Sequence, residues 1–320
     1  AMRFNSDSQK LEYFNGETWF QIHTFSPDLN GGSRGVYMGG YSFTDTIDYW
    51  TIPSSGNAID FGNLIGNTYA LQTGTVASNV RGFTGGSAPN PGSDTIEYVT
   101  FSQLGNSTDF GNLTNGIYSH GACSNQTRGV WFGGYDTPGY IDVIDYVTMA
   151  ASGNAVDFGN LLGNTGFGYG GASSTRGIHA GGYTQNVIQY ITMATLGHAR
   201  DFGDISVGSM YGGGSVTSPT RFVFGGGHIH PAKTNKLEYI TFATTGNSTD
   251  FGDLTQTRGY GLGGASDCVR GTFSGGYTPS QVNTIDYINM ATQSNAVDFG
   301  DLTVARRGGT GSSNGHGGLA

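Results

Sequence analysis

Short runs that alternate hydrophobic with polar residues recur along this chain, with glycine between them. One phrase occurs six times: a hydrophobic residue, an acidic or amide residue and Tyr, followed eleven residues later by Asp-Phe-Gly. The pairs are Tyr49 with Asp60, Tyr98 with Asp109, Tyr146 with Asp157, Tyr190 with Asp201, Tyr239 with Asp250 and Tyr287 with Asp298. Successive triplets lie 49, 48, 44, 49 and 48 residues apart. In the sixth copy, residues 258–266 (RGYGLGGAS), 270–276 (RGTFSGG), 284–290 (TIDYINM) and 296–302 (AVDFGDL) are each β-rich and bounded by Gly, Ser, Asn or Thr. That punctuation predicts four short strands per repeat. No such unit can bury both its faces alone, so a period near 50 predicts units packed around an axis as a β-propeller.

The first strand of each repeat is rich in small residues, as in 119–122 (SHGA), 168–172 (GYGGA) and 211–215 (YGGGS). It suits the position nearest the axis, where six strands crowd together. The first repeat starts at its second strand, near Arg34, while residues 307–313 (RGGTGSS) form a spare first strand. The C-terminal segment is therefore expected to complete the first blade, leaving no open sheet edge. Residues 2–22 fall outside the repeat. They predict a hairpin of 11–14 and 18–22 around Asn15-Gly16, the strongest short hairpin signal. The expected organisation is an all-β chain. Residues 1–22 form an N-terminal hairpin or linker, and 23–320 a six-bladed propeller with four-stranded blades and almost no helix.

Composition narrows the function classes. Lys, Arg, Asp and Glu make up only 12% of the chain, low for a cytosolic enzyme and suited to neutral hydroxyl- and amide-rich loops. The formal net charge is −9 and the longest basic run is Arg306-Arg307, so nucleic acid finds no electrostatic footprint. No apolar run approaches the roughly 18 residues of a membrane span, and no export signal or membrane insertion is expected. Cys123 and Cys268 lie about three repeats apart, too far across the ring for a disulfide.

The second strands end in paired glycines: Gly39-Gly40, Gly85-Gly86, Gly133-Gly134, Gly181-Gly182, Gly226-Gly227 and Gly275-Gly276. A strand ending in Gly-Gly, a variable loop, a strand with an aromatic and a further aromatic before the next unit resembles the kelch repeat. The resemblance covers residues 34 to 320 and departs at one position, where Phe of Asp-Phe-Gly replaces the usual Trp. The segment Arg3-Phe4-Asn5 followed by Lys10-Leu11-Glu12-Tyr13-Phe14-Asn15-Gly16 and Thr18-Trp19 is similar to a linker in tail-fibre and structural proteins of tailed bacteriophages, marine cyanophages especially. The Ile-Asp-Tyr and Asn-Ala-Xaa-Asp-Phe-Gly phrasing and the terminal His316-Gly317-Gly318-Leu319 are also similar to such proteins. This resemblance implies a virion location and a structural or adsorption role, with other virion proteins as partners.

Candidate chemistry is thin. Glycoside hydrolysis needs two carboxylates in different environments at one place. The six repeat aspartates share one environment instead. They are read as strand-end acceptors for backbone N–H groups, with the repeated Arg34, Arg81, Arg128, Arg176, Arg221 and Arg270 as candidates for inter-blade ion pairs. The chain has no SxDxGxTW sialidase box, and neither cysteine has the setting of the Tyr–Cys link in kelch-like galactose oxidases. His228 and His230 are two apart and could begin a metal site, but no third ligand is identifiable. His120 and His179 are read as satisfied strand histidines. No cofactor is expected.

The loops between second and third strands differ most between copies, spanning 41–46, 87–95, 135–143, 183–187, 228–236 and 277–284. The turns between third and fourth strands are nearly constant, as at Gly56-Asn57, Gly105-Asn106 and Gly153-Asn154. These two sets emerge on opposite faces, so one face is uniform and one diversified. Specific recognition rests on loops carried by a rigid scaffold. The diversified face carries Tyr41, Phe43, Asp136, Tyr140, His228, His230, Lys233 and Lys236 as candidate ligand-binding residues. The expectation is a non-enzymatic virion or tail-fibre component on the outside of the particle, engaging a host-surface glycan or protein. A purely structural decoration protein and a polysaccharide-degrading enzyme are the alternatives.

Overall fold

The computed structural model describes residues 2–5, 10–21, 33–41, 44–88, 92–229 and 231–319. They form two compact units, Ala1–Gly32 and Ser33–Ala320. Both are all-β, and the single helical element among the described residues is a 3-10 turn at Gly317–Leu319. The first unit is an antiparallel sheet of Met2–Asn5, Lys10–Phe14 and Trp19–Gln21. Asn15 Oδ1 accepts from the amides of Glu17 and Thr18, each at 2.9 Å, and closes the predicted turn. The hairpin thus gains a third strand, and Ile22 lies outside the described residues.

The second unit contains six four-stranded antiparallel sheets. One runs Gly121–Ser124, Arg128–Asp136, Gly139–Thr148 and Val156–Asn160, in sequence order across the sheet. The sheet built on Arg34–Met38 takes its first strand from the far end of the unit. Thr310–Ser313 pairs with it from Thr310 opposite Met38 to Ser313 opposite Gly35. The expected completion by the C-terminal segment is therefore present, and the arrangement is consistent with a β-propeller.

Neighbouring sheets are joined at three depths. Nearest the first strands, six backbone hydrogen bonds follow one another in a cycle. Ser119 N donates to Ala70 O at 2.8 Å, Phe167 N to Ser119 O at 2.6 Å, Gly212 N to Phe167 O at 2.8 Å and Gly261 N to Gly212 O at 2.9 Å. Gly308 N then donates to Gly261 O at 2.8 Å, and Leu71 N to Gly308 O at 3.0 Å. All six donors have left-handed φ, from +50° at Leu71 to +75° at Gly261. Just beyond them space runs out. A Cβ on Gly264 would stand 1.9 Å from Ser215 O, which explains the small residues of the first strands.

At middle depth, hydrophobic side chains of adjacent sheets interlock. Val76, Phe83, Ile96 and Phe110 of one repeat pack with Trp131, Val147, Met149 and Ala155 of the next. Toward the perimeter, the acidic or amide residue before each repeat Tyr is a clasp. Asp145 accepts from Thr114 N at 2.8 Å and Thr114 Oγ1 at 2.7 Å, across the sheet boundary. Glu97 accepts from Ile65 N, Gln189 from Leu162 N, Glu238 from Ser206 Oγ, Asp286 from Thr255 Oγ1 and Asp48 from Thr303 Oγ1. The last joins the end of the unit to its start, and the buried Arg306–Asp48 pair at 3.1 Å reinforces it. The Gly-Asn turns complete the edge: Asn106 Oδ1 accepts from Asn63 N, and Asn154 Oδ1 from Asn112 N, each at 3.1 Å.

His120, His179 and His316 are buried among these elements. His316 Nε2 lies 3.2 Å from both Ser124 Oγ and Ala77 O, anchoring the terminal turn over the first strands. The expectation that His179 is satisfied is corrected: among the described residues neither of its ring nitrogens has a hydrogen-bond partner. Its ring lies edge-on to Phe132, at 5.8 Å. Burial lowers all three imidazoles, to about 3 for His120 and about 4 for His179 and His316. Below pH ~6.5 the unfolded chain protonates these groups while the folded chain does not. Stability is then fully present above ~6.5 and falls as pH drops toward 4, at roughly 1.4 kcal/mol per pH unit for each histidine. Urea unfolding between pH 7.5 and 4.5 should show this steep acid loss, and a flat profile down to pH 5 would contradict it.

Candidate functional site

The antiparallel order of each sheet sends the loops between second and third strands, and the connections to the next first strand, to the same face. Two sets of aromatic residues meet there. One follows the paired glycines: Tyr41, Tyr135, Tyr183 and Tyr277, with His228 in the fifth repeat. The other precedes the first strands: Tyr69, Tyr118, Phe167, Tyr211 and Tyr260. Their rings contact in series. Tyr118 meets Tyr135 and Tyr135 meets Tyr140, which in turn contacts Phe167 and Tyr183 at 6.4 and 6.0 Å. Both of these meet Tyr211, which stacks on His228 at 5.1 Å and 12°. His228 meets Tyr260 at 4.6 Å, and Tyr260 meets Tyr277. The Arg307 guanidinium bridges Tyr277 to Tyr41, and Tyr41 meets Tyr69. The result is an aromatic arc that passes through all six repeats.

Several rings keep open surface: Tyr41, Tyr183 and Tyr260 are 41%, 41% and 39% exposed. Burial raises the phenols of Tyr69, Tyr118, Tyr140 and Tyr211, and neighbouring tyrosines push the same way. Each phenol is therefore a neutral O–H that can donate as well as accept at neutral pH. Phe167 and Tyr260 have φ of +62° and +64°. A left-handed backbone is costly for a bulky residue, and glycine holds the position of Phe167 in other repeats, as at Gly212 and Gly308. Flat apolar faces fringed by hydroxyls can stack on saccharide rings and bond their hydroxyl groups.

Of the residues singled out from sequence, Tyr41, Tyr140, His228 and Lys233 join this arc. Lys233 Nζ lies over Tyr277 at 4.2 Å. Asp136 stands beside it, next to Tyr135, and accepts from Asn115 Nδ2 at 3.2 Å. Lys236 is exposed at the start of its third strand, opposite Asp253, and touches none of the rings. Phe43 and His230 lie outside the described residues. No group of three His, Cys, Asp or Glu among the described residues could hold a metal ion. Sequence reasoning missed Tyr69, Tyr118, Tyr135, Phe167, Tyr183, Tyr211, Tyr260, Tyr277 and Arg307. A signal for three of them, Tyr135, Tyr183 and Tyr277, was present in the recurrent Gly-Gly-Tyr.

The repeat aspartates are elsewhere and exposed. The expected ion pairs between them and the repeat arginines are not formed. The three ion pairs among the described residues are Arg3–Glu12, Arg258–Asp286 and Arg306–Asp48. The arginines instead stack on the repeat tyrosines, Arg128 over Tyr146 at 5.0 Å for instance. All but Arg270 also donate across the sheet boundary to backbone carbonyls, as Arg128 does to Met193 O and Arg176 to Phe242 O, both at 2.6 Å. A guanidinium so placed satisfies a carbonyl and covers a ring without burying a carboxylate beside it.

No protein-family model and no curated protein matches this sequence. The structural role of the acids is nonetheless directly testable. Asp157 Oδ1 accepts from Gly159 N at 3.2 Å, as expected of a strand-end acceptor. Asp157→Asn should change unfolding free energy by less than about 0.5 kcal/mol, since the residue is exposed and Asn keeps that accepting oxygen. Asp145→Ala strands the Thr114 amide and hydroxyl and should cost roughly 1–3 kcal/mol. Parallel urea melts decide it, and equal effects or the reverse order would contradict the assignment.

Proposed function

We propose that this chain is a six-bladed, kelch-like β-propeller serving as a non-enzymatic recognition module, with the aromatic arc as its carbohydrate-binding face. The arc is the observation that carries this reading. Residues that recur in every repeat are occupied in joining sheets, whereas the arc differs from repeat to repeat in ring type and spacing. A ligand without sixfold symmetry must be read by residues that break the sixfold pattern. The strained Phe167 and Tyr260 support a selected surface, because glycine would relieve both. Single contacts of this kind are weak, and several copies on one particle would add avidity. The phage-like phrasing of the N-terminal segment and repeats supports a place on the outside of a virion, with a host-surface glycan as target and other virion proteins as neighbours.

A glycan array probed with the full chain should give hits, and Tyr140→Ala or Tyr183→Ala should lower their affinity. At roughly 0.5–1.5 kcal/mol per aromatic contact, each substitution costs about two- to tenfold. Titration calorimetry on the hits measures it, with thermal unfolding as the control for folding. An empty array, or hits indifferent to both substitutions, would favour a purely structural decoration role. Release of new reducing ends from a bound polysaccharide would move the reading to an enzyme.

A further inference from the structure

We propose that the Arg307–Lys233 end of the arc is a subsite for the anionic substituent of an acidic saccharide. The inference rests on the carbohydrate reading of this face and adds the ligand's charge class. The Arg307 guanidinium lies 4.2 Å from the ring centre of Tyr41, 4.5 Å from that of Tyr277 and 4.8 Å from that of Tyr260. Lys233 Nζ approaches the same nest, 4.2 Å from Tyr277 and 5.6 Å from Tyr260. Two cations thus share three tyrosine rings. Neither has a carboxylate within ion-pair distance among the described residues. This stands out in a chain whose formal net charge is −9.

The arrangement is held from below. Tyr41 N donates to Arg307 O at 2.7 Å, and Tyr277 N donates to Gly259 O at 2.9 Å, which fixes the cation against the rings on both sides. Stacking on rings covers the faces of a guanidinium and leaves its in-plane N–H groups for acceptors; the Tyr69 side chain takes one of them, and the others can meet a planar acid group. Arg307 Nε is buried and has no hydrogen-bond partner among the described residues. Tyr260, between the two cations, is held in the left-handed backbone that glycine would occupy without strain. A uronic acid matches these features together: its ring can stack on an exposed tyrosine while its carboxylate meets both cations. A sulfate ester on a neutral sugar offers the same charge, and the test separates the two.

The experiment is titration calorimetry of the full chain with trigalacturonate, with its fully methyl-esterified counterpart and with a sulfated neutral trisaccharide. The acid or the sulfated sugar should bind at least about tenfold more tightly than the neutral ester, and raised salt should weaken that preference. Lys233→Gln should abolish the preference without changing thermal unfolding, and Arg307→Lys should weaken it while keeping the charge. Preference for the sulfated sugar alone would support the subsite and assign sulfate as its ligand. Equal binding of acid and ester, unaltered by Lys233→Gln, would overturn the subsite and leave the carbohydrate reading standing. Binding of none of the three would also overturn it, and hits elsewhere on the array would show whether the broader reading survives.

Discussion

The structure depends on closing a cycle of backbone hydrogen bonds around the first strands. Each of six residues, from Leu71 to Gly308, donates its N–H to the preceding repeat, and Leu71 reaches Gly308 where the last repeat meets the first. The residues must all be left-handed to do so. A single sheet of this unit has two apolar faces and stable burial for neither. The cycle gives every sheet two neighbours and keeps the first strands buried, while the fourth strand of each sheet remains its outer edge. The interlocked side chains and the perimeter clasps act on sheets whose order the cycle has already set.

That constraint divides the residues by task. Phe of Asp-Phe-Gly, the acid before the repeat Tyr, the Gly-Asn turn and the repeat Arg are all used between sheets. The Gly of Asp-Phe-Gly shows how tightly: a Cβ on Gly159 would meet Gly197 O at 2.4 Å. Little freedom is left at those positions for recognition. In the loops after the paired glycines and the connections before the first strands, the backbone joins the sheets, and the side chains are left to vary from repeat to repeat. The arc of tyrosines, His228, Lys233 and Arg307 is built there, and it is the least symmetric part of the unit.

Much of the fold was legible in the sequence because spacing reports it. A period near 48 fixed the number of repeats, and the spare strand at residues 307–313 announced the completion of the first sheet. Roles within the repeat were harder to read. Asp157's position is Asp in every repeat while Asp145's varies among Asp, Glu and Gln, yet the first set is exposed and the second buried. Recurrence does not reveal burial, and alternation along a strand with a bulge loses its phase at the bulge. The site was half legible. Tyr41, Tyr140, His228 and Lys233 lie in variable loops and so were visible. Phe167, Tyr211 and Tyr260 lie beside glycine-rich strands, where the expectation of small residues hid them. Arg307 was read as part of a strand, and only the meeting of the last repeat with the first brings it to Tyr41.

The account stands or falls on the cycle being continuous where the two ends of the unit meet. Native-state hydrogen exchange of the amides of Leu71, Ser119, Phe167, Gly212, Gly261 and Gly308 tests this most directly. All six should exchange only through global unfolding, with one common free energy and the same denaturant dependence. Exchange of Leu71 and Gly308 by local opening, well below the other four, would contradict a closed cycle and leave an open row of sheets in its place.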